Sequence, residues 1–222
     1  MSHVPLLFSR WIAVLMDDLA TDYDVVVCID ATAQNRHGPV GVGKTNLGMI
    51  LARTMSPYFD LKRDMVVRDD IRQAERIMSD RKPYKICWFD EWEWFAFLQW
   101  WQKPRVKALT PEFMSNRKER RIWILNIPVI WGAVWFFVDY RIQWRVRMKD
   151  RYTADVFMRS GIPSRRMRAK DYWGKYMGTV TDIPKVPDRW WGRYEDLYFA
   201  HPNPCARGSC VSAEPTAGGR GS

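Results

Sequence analysis

The chain has 222 residues, with 35 lysine and arginine residues against 25 aspartate and glutamate residues and a net charge of +10 at pH 7. Its composition of 27% charged and 47% hydrophobic residues excludes an intrinsically disordered chain, and its length suits one α/β domain. The positive charge favours polyanionic partners, either nucleic acid or an anionic membrane surface. Four scattered cysteines are too few for a disulfide framework, so we expect a reducing, cytoplasmic environment.

The first elements along the chain are a helix, a buried strand and a second helix. Apolar residues at helical spacing predict a helix over residues 10–19, with Ser9 as its cap. The unbroken β-branched run at residues 25–29 predicts a buried parallel strand. A second helix is predicted over residues 45–55, after a glycine-containing stretch. A strand, a glycine loop and a helix in this order are the context in which phosphate-binding loops occur.

The stretch before the second helix fits the pattern GxxxxGK(S/T) at every fixed position. The backbone amides of such a loop converge on a β-phosphate, its lysine reaches the β- and γ-phosphates, and its hydroxyl group holds Mg²⁺. Glycine is needed where the backbone approaches the phosphate and turns tightly. We therefore predict that ATP, with Mg²⁺, is bound by Gly38, Pro39, Val40, Gly41, Val42, Gly43, Lys44, Thr45 and the adjacent Asn46.

Two carboxylates follow a later predicted strand. Residues 65–67 form a short strand, Asp69 or Asp70 caps the next helix, and the apolar run 86–89 ends in Asp90 and Glu91. An apolar strand that delivers two acids has the form of a Walker B element. In such an element the first acid holds Mg²⁺ through its water shell and the second activates the attacking water. We therefore assign Asp90 to the metal, beside the loop threonine, and Glu91 to catalysis.

Residues 92–121 contain three further stretches, two of which allow more than one interpretation. Residues 92–101 are densely aromatic, which is typical of a packed segment and also of a base-stacking surface. Thr110 has the form of a helix cap with Pro111 in the first turn. The basic run 117–121 is either a solvated helix end or the position of an arginine that acts in a neighbouring subunit's site.

The next stretch, residues 122–138, carries no charge and is at the lower limit for crossing a bilayer. Asn126, Pro128 and Gly132 interrupt it, which favours a strand and a polar loop over a membrane helix, with a membrane contact as the alternative.

Residues 141–149 alternate between apolar and basic side chains. They predict a strand whose basic face either protects a sheet edge or contacts a phosphate backbone.

We assign residues 1–200 to one P-loop domain. Its last part, residues 160–200, is proline-dotted and basic, and we expect an extended arm that docks on the body through aromatic anchors such as Trp190, Trp191 and Tyr194. Residues 201–222 are rich in Gly, Pro, Ser and Ala without an apolar period, so we expect a disordered tail.

Taken together, GPVGVGKT, ICWFDE and NRKERRIWILN resemble the motor core of the HerA/FtsK-like branch of additional-strand P-loop ATPases, especially its small archaeal and mobile-element members. The resemblance covers roughly residues 5–200. It implies a three-layer, RecA-like α/β fold whose mostly parallel central sheet is flanked by helices. In that family a strand inserted between the P-loop and Walker B strands makes room for a catalytic glutamate, which corresponds to Glu91.

The resemblance also implies further site residues. A polar sensor at the end of the following strand corresponds to Asn126, where many relatives have glutamine. The basic run before that strand is where relatives place a functional arginine, which we assign to Arg117. This chain departs from the family at residues 129–138, which are apolar where a polar loop is usual.

Those relatives form hexameric rings that pull DNA through a central pore. The resemblance therefore implies a Mg²⁺-dependent ATPase that translocates or packages DNA as a homo-oligomer, with six subunits expected.

Two other functions share the P-loop. A nucleotide or small-molecule kinase would bind a phosphoryl acceptor, and the arginines of residues 165–168 would form a lid over the phosphates. A membrane-associated assembly protein would use ATP as a switch and contact lipid through residues 122–138. Phosphate release without an acceptor, stimulated by DNA, separates the motor from the kinase, and membrane fractionation tests the second rival.

Overall fold

The computed structural model describes residues 5–21, 23–31, 41–68, 70–96, 103–115, 118–130, 133–159 and 174–200. The strands are β1 (Val25–Ala31), β2 (Met65–Val67), β3 (Ile86–Asp90), β4 (Ile122–Asn126), β5 (Trp144–Met148), β6 (Ala154–Met158) and β7 (Lys175–Val180). The helices are α1 (Phe8–Ala20), α2 (Lys44–Met55), α3 (Leu61–Asp64), α4 (Ile71–Ser79), α5 (Glu93–Ala96), α6 (Pro104–Ser115), α7 (Trp135–Tyr140) and α8 (Asp188–Ala200). Helices alternate with strands along most of the chain, as in α/β proteins.

The described strands form one seven-stranded sheet in the order β2-β3-β4-β1-β5-β6-β7. The first five strands in that order are parallel, and β6 and β7 are antiparallel to their neighbours. Every residue of β1, β3 and β4 is buried, because helices cover both faces of the sheet there. The predicted α/β class, with a mostly parallel central sheet flanked by helices, is confirmed, and the arrangement is compatible with a three-layer RecA-like fold.

Strand β4 lies between the strand that precedes the glycine loop and the strand that ends in the two acids. Ile29 of β1 pairs with Asn126, and Phe89 of β3 pairs with Leu125. Asp90 and Asn126 therefore reach the same carboxyl edge of the sheet. In open parallel sheets this edge is where ligands bind.

Two apolar layers cover the two faces of the sheet. Val25 and Val27 face the layer that includes α1, α2 and part of α8, whereas Val26 and Cys28 face the layer of α4, α6 and α7. Cys28 of β1 and Cys87 of β3 are buried free thiols. Burial on both sides explains why these strands are continuous apolar runs without alternation.

The aromatic stretch after β3 is packed in the interior where it is described. Trp92 and Phe95 are both fully buried, and each ring centroid lies within 6.0 Å of the Phe113 and Phe137 ring centroids. The interpretation as a packed segment is therefore confirmed for this part. Residues 97–102 lie outside the described residues.

Helix α1 differs from its prediction at the amino end. It begins at Phe8, with Leu7 at the N-cap position and no side-chain cap, so the assignment of Ser9 as the cap is wrong. The reason is a distant partner, since the Phe8 amide donates to Oδ1 of Asp182 at 3.0 Å. At α4 the prediction is confirmed, because Oδ1 of Asp70 accepts from the third residue of the helix.

Helix α6 begins earlier than predicted. Its bounds place Thr110 and Pro111 in its interior, and the Thr110 hydroxyl donates to the Val106 carbonyl oxygen at 3.4 Å. Proline suits the first helical turn because the amide that it lacks would be unpaired there, and Pro104 occupies that position. The proline that marks the start of α6 is therefore Pro104, and the predicted start at Thr110 and Pro111 is wrong.

The uncharged stretch 122–138 is not one continuous helix. Its described part contains β4 at the beginning and the first residues of α7 at the end. In the part of the chain that the structure describes, no helix has the length and apolar character needed to cross a bilayer.

The strand predicted over residues 141–149 is present as β5, but its environment differs from the prediction. It lies between β1 and β6, so the edge-strand interpretation is wrong. Arg145 is buried and bonds through Nη2 to Oδ2 of Asp30 at 2.7 Å. Arg147 and Lys149 lie 2.9 and 2.7 Å from the carboxylate of Asp155. The basic face is largely paired with acids of the neighbouring strands.

The C-terminal part of the domain is more regular than predicted. Residues 175–180 form β7 and residues 188–200 form α8, so the expected extended arm is wrong for both segments. Pro187 stands just before α8, and its carbonyl oxygen accepts from the Trp190 amide at 2.8 Å. The proline marks the start of a helix here. Residues 160–173 and the predicted tail, residues 201–222, lie outside the described residues.

A buried ionic cluster lies at the amino edge of the sheet, opposite the glycine loop. Oδ1 of Asp24 accepts from the Arg121 backbone amide at 2.9 Å, and its Oδ2 accepts from Trp123 Nε1 at 2.8 Å and from Arg141 Nη2 at 3.3 Å. Arg121 and Arg141 are 0% and 2% exposed. Arg121 therefore cannot act in a neighbouring subunit, and Arg117 lies outside the described residues.

We predict that Asp24→Ala lowers the free energy of unfolding by about 3–5 kcal/mol, because it removes a buried carboxylate that lies against two buried guanidinium groups. Urea unfolding followed by circular dichroism measures the change. Asp17→Ala, at an exposed position of α1, is the matched control and should change stability by less than about 0.5 kcal/mol. Equal losses in the two variants would contradict the structural role of the cluster.

Candidate functional site

The described part of the glycine loop leads directly into α2. Gly41 and Gly43 have φ angles of +77° and +91°, in the left-handed region that favours glycine. A Cβ atom at Gly43 would lie 2.8 Å from Cα of Arg151, so the turn between β5 and β6 approaches the loop closely. Gly43 is the N-cap of α2, and Lys44 and Thr45 are its first residues. The amino end of a helix, which attracts anions, therefore lies beside this loop.

Three elements bring polar side chains together at the carboxyl edge. Oγ1 of Thr45, on α2, lies 3.3 Å from Oδ1 of Asp90, at the end of β3. Nδ2 of Asn126, at the end of β4, donates to the same oxygen at 2.5 Å. Burial raises the pKa of Asp90, and hydrogen bonds from Tyr194, Asn126 and Thr45 and the charge of Lys44 oppose this rise. The structure thus brings together the residues that the sequence assigned to the metal and to the sensor.

Lys44 and Glu91 line the same cavity as these residues, which has a volume of about 270 Å³. Burial lowers the pKa of Lys44, and the charges of Asp90, Glu93 and other acids oppose this effect. Burial raises the pKa of Glu91. The backbone of Glu91 has φ +64°, which is unusual for a residue with a side chain and stores strain of the kind often found at functional sites.

Glu93 is a site residue that the sequence reasoning missed. It lines the same cavity as Glu91, and burial, together with the charges of Glu91 and Asp90, raises its pKa to about 7. The sequence feature that indicates this role is a third acid, which stands two positions after Glu91. From the sequence, Glu93 was interpreted only as part of the aromatic stretch 92–101.

Two oxygen atoms at the cavity receive no hydrogen bond from the described residues. Oδ1 of Asn126 and Oε2 of Glu93 are buried and accept no hydrogen bond from any residue that the structure describes. Buried acceptors of this kind fit the water molecules around a hydrated cation, which donate hydrogen bonds. Within the described residues, no cluster of three or more His, Cys, Asp or Glu residues could hold a metal ion unaided. Mg²⁺ in proteins is commonly bound by one or two carboxylates together with substrate phosphates, and Thr45 and Asp90 fit that arrangement.

A second, larger cavity of about 480 Å³ also lies against the glycine loop. The loop residues 41–43 form one wall, and Tyr152, Lys185 and Trp191 contribute to the others. Lys44, Thr45 and Tyr194 line both cavities. A nucleotide whose phosphates lie at the loop therefore has room for its sugar and base in this larger cavity.

Two tyrosines of α8 contact the two acids. The Tyr194 hydroxyl donates to Oδ2 of Asp90 at 2.5 Å, and the Tyr198 hydroxyl donates to Oε1 of Glu91 at 2.7 Å. The Tyr194 side chain is 8% exposed and stacks on Trp88, with 6.4 Å between the ring centroids. Sequence reasoning identified Tyr194 as an aromatic anchor but did not connect it with the acids.

The remaining predicted site residues fall into two groups. The Asn46 side chain accepts from the Val186 amide at 2.9 Å and donates to the Pro184 carbonyl oxygen at 3.0 Å. It therefore fastens the segment before α8 to α2. The residues Gly38, Pro39, Val40 and Arg117, and the arginines of residues 165–168, lie outside the described residues.

The two loop glycines should respond differently to substitution. We predict that Gly41→Ala lowers the free energy of unfolding by about 1–2 kcal/mol, because alanine is strained at positive φ. Gly43→Ala should lower it by more, because the added Cβ also meets the Arg151 backbone. Urea unfolding of the two variants measures the difference. A Gly43→Ala protein as stable as the Gly41→Ala protein would contradict the close approach of the two backbones.

Comparisons with family models, with curated proteins and with solved structures found no match to this chain. The resemblance to HerA/FtsK-like ATPases therefore stays a prediction. The function proposed below is argued from the geometry of the site and from the residue pattern that led to it.

Proposed function

We propose that the chain is a Mg²⁺-dependent P-loop ATPase, and that it is a motor subunit which moves or packages DNA as a ring-shaped oligomer in the cytoplasm. The observation that carries the ATPase proposal is the contact of Thr45 and Asn126 with the buried carboxylate of Asp90, beside Lys44 and the glycine loop. A helix amino end, a lysine, a hydroxyl group and two acids are the groups that phosphoryl transfer to water requires.

In this proposal the residues of α2 bind the phosphates. The loop amides and the Lys44 ammonium group neutralise negative charge on the β- and γ-phosphates. Thr45 and Asp90 would hold Mg²⁺, which supplies further charge neutralisation when it is bound. Asn126 would act as the sensor: one N–H of its Nδ2 is held by Asp90, and its Oδ1, which has no donor among the described residues, can accept a hydrogen bond from a water molecule near the γ-phosphate.

Glu91 is the proposed general base. A water molecule attacks the γ-phosphorus, the bond to the β–γ bridging oxygen breaks, and the Glu91 carboxylate takes the proton of the water. The raised pKa of Glu91 makes its carboxylate a stronger base than an exposed glutamate. The products are ADP and inorganic phosphate.

The DNA partner and the ring are supported by different observations. The net charge of +10 favours a polyanion, and the resemblance to HerA/FtsK-like motors favours DNA and a hexamer. P-loop motors often complete their sites with an arginine from a neighbouring subunit. Arg117 is the residue that the sequence assigns to this role.

We predict that Glu91→Gln keeps nucleotide affinity but lowers the rate of ATP hydrolysis by about 10²–10⁴-fold, because it removes the proton acceptor. Lys44→Ala should weaken ATPγS binding by about ten- to a hundredfold, because it removes a charged hydrogen-bond donor. Phosphate release and calorimetric titration measure the two effects. Glu75→Gln, at an exposed position of α4, is the matched control.

Unchanged turnover in Glu91→Gln with nucleotide still bound would show that Glu91 is not the base. If Lys44→Ala bound ATPγS as tightly as the unaltered chain, the loop would not be the phosphate site.

We also predict that double-stranded DNA stimulates phosphate release in the absence of any phosphoryl acceptor. The stimulation should fall as the salt concentration rises, because cations compete with the protein for the DNA phosphates. Sedimentation in the presence of ATPγS and DNA should show an oligomer. A fully active monomer under these conditions would contradict the ring, and phosphate transfer that requires an acceptor would favour a kinase.

A further inference from the structure

Helix α8 lies over the acidic side of the candidate site. Its Tyr194 and Tyr198, one helical turn apart, donate hydrogen bonds to the consecutive acids Asp90 and Glu91. Both hydroxyl groups therefore act on the two carboxylates that the proposed function assigns to the metal and to the attacking water. One face of α8 therefore supplies one hydrogen-bond donor to each of the two acids.

The hydrogen bonds leave little acceptor capacity on Asp90. Its Oδ1 accepts from Asn126 and its Oδ2 from Tyr194, and the Thr45 hydroxyl lies 3.3 and 3.4 Å from the two oxygens. A carboxylate offers about four lone-pair sites. These three donors take three of the sites and enclose a carboxylate that is 4% exposed, so a water molecule of a hydrated Mg²⁺ ion gains room to donate to Asp90 when one of the donors moves. Tyr194 is the donor that does not belong to the sheet or to α2.

The attachment of α8 to the body is limited. Tyr194 is its only buried residue among those described, and most of the helix is exposed. Two arginines of the body contact aromatic rings of the helix, Arg53 over Trp190 at 3.6 Å and Arg68 over Tyr198 at 4.1 Å from the ring centroids. Elements held by few buried contacts open at a lower free energy than the core.

We propose that α8 is a cover over the metal side of the nucleotide site, and that it must move away before Mg²⁺ and a nucleoside triphosphate can bind productively. The proposal rests on the function proposed above. The Tyr194 and Tyr198 hydroxyl groups take the acceptor sites on Asp90 and Glu91 that the waters of the metal ion and the attacking water need.

The protonation of the two tyrosines is consistent with this role. Burial and the nearby Asp90 carboxylate raise the pKa of Tyr194, and burial and the bond to Glu91 raise the pKa of Tyr198. Both side chains therefore stay protonated as hydrogen-bond donors near neutral pH.

The double substitution Tyr194→Phe with Tyr198→Phe tests the cover. Phenylalanine keeps the rings that pack on the body and removes both hydroxyl groups. The full-length variant should bind Mg²⁺ with ATPγS about tenfold more tightly than the unaltered chain, because the closed state loses two hydrogen bonds to carboxylates. Calorimetric titration measures the affinity. Tyr58→Phe, at a tyrosine that is 83% exposed, is the matched control and should leave the affinity unchanged.

A second measurement needs no substitution. In the unaltered chain, amide hydrogen exchange over residues 188–200 should become faster when Mg²⁺ and ATPγS are added, because α8 leaves the site.

The outcomes distinguish a failure of the proposed cover from a failure of the proposed function. If the double variant binds ATPγS with equal or lower affinity, or if exchange over residues 188–200 slows on binding, the hydroxyl groups do not close the site and the cover is overturned. The proposed function then still stands, provided that Lys44→Ala weakens the binding as predicted above. If neither the unaltered chain nor the double variant binds ATPγS, both proposals fail together.

Discussion

The buried carboxylate of Asp90 is the point at which four elements of this structure meet. It ends β3, and it receives hydrogen bonds from Thr45 on α2, Asn126 on β4 and Tyr194 on α8. A carboxylate removed from water is unfavourable unless donors compensate for the lost hydration. Burial nevertheless raises its pKa, so the compensation is incomplete. A metal ion at this position would supply the missing positive charge, which is why we interpret the arrangement as functional.

The two edges of the sheet show how a structural ionic cluster differs from a functional one. At the amino edge, Asp24 accepts hydrogen bonds from the Arg121 backbone amide and the Arg141 guanidinium group, and the three side chains are buried. At the carboxyl edge, Asn126 and Glu93 present oxygens that have no donor in the described part of the chain to a cavity of about 270 Å³. The first arrangement holds the strands together without any ligand. The second arrangement has a glycine loop and a helix amino end beside its acids, and these suit an anionic ligand with a metal ion.

Much of the fold could be predicted from local sequence patterns. The continuous apolar runs of β1, β3 and β4 reveal buried parallel strands because both of their faces are covered by helices. The glycine loop could be predicted because positive φ angles and the close approach of the backbone require glycine. Asp90 and Glu91 could be predicted from their place directly after an apolar strand.

The parts that the sequence did not reveal depend on contacts between distant residues. Arg121 has the pattern of a solvated helix end, and only the fold places it beside Asp24. Arg145 looked like a surface cation because alternation in a strand does not show whether the second face is covered by another layer. The contacts of Tyr194 and Tyr198 with the acids join residues that are more than one hundred positions apart. Helical spacing alone cannot show which surface such a helix covers.

The central claim is that a triphosphate lies on the glycine loop, with its metal ion between Thr45 and Asp90. A crystal structure of the full-length chain grown with Mg²⁺ and ATPγS tests this claim most directly. The account predicts density for the triphosphate at the amino end of α2, with the Thr45 hydroxyl as a metal ligand and Asp90 reached through a metal-bound water. A triphosphate or metal ion bound elsewhere, with Asp90 still enclosed by its three donors, would contradict it.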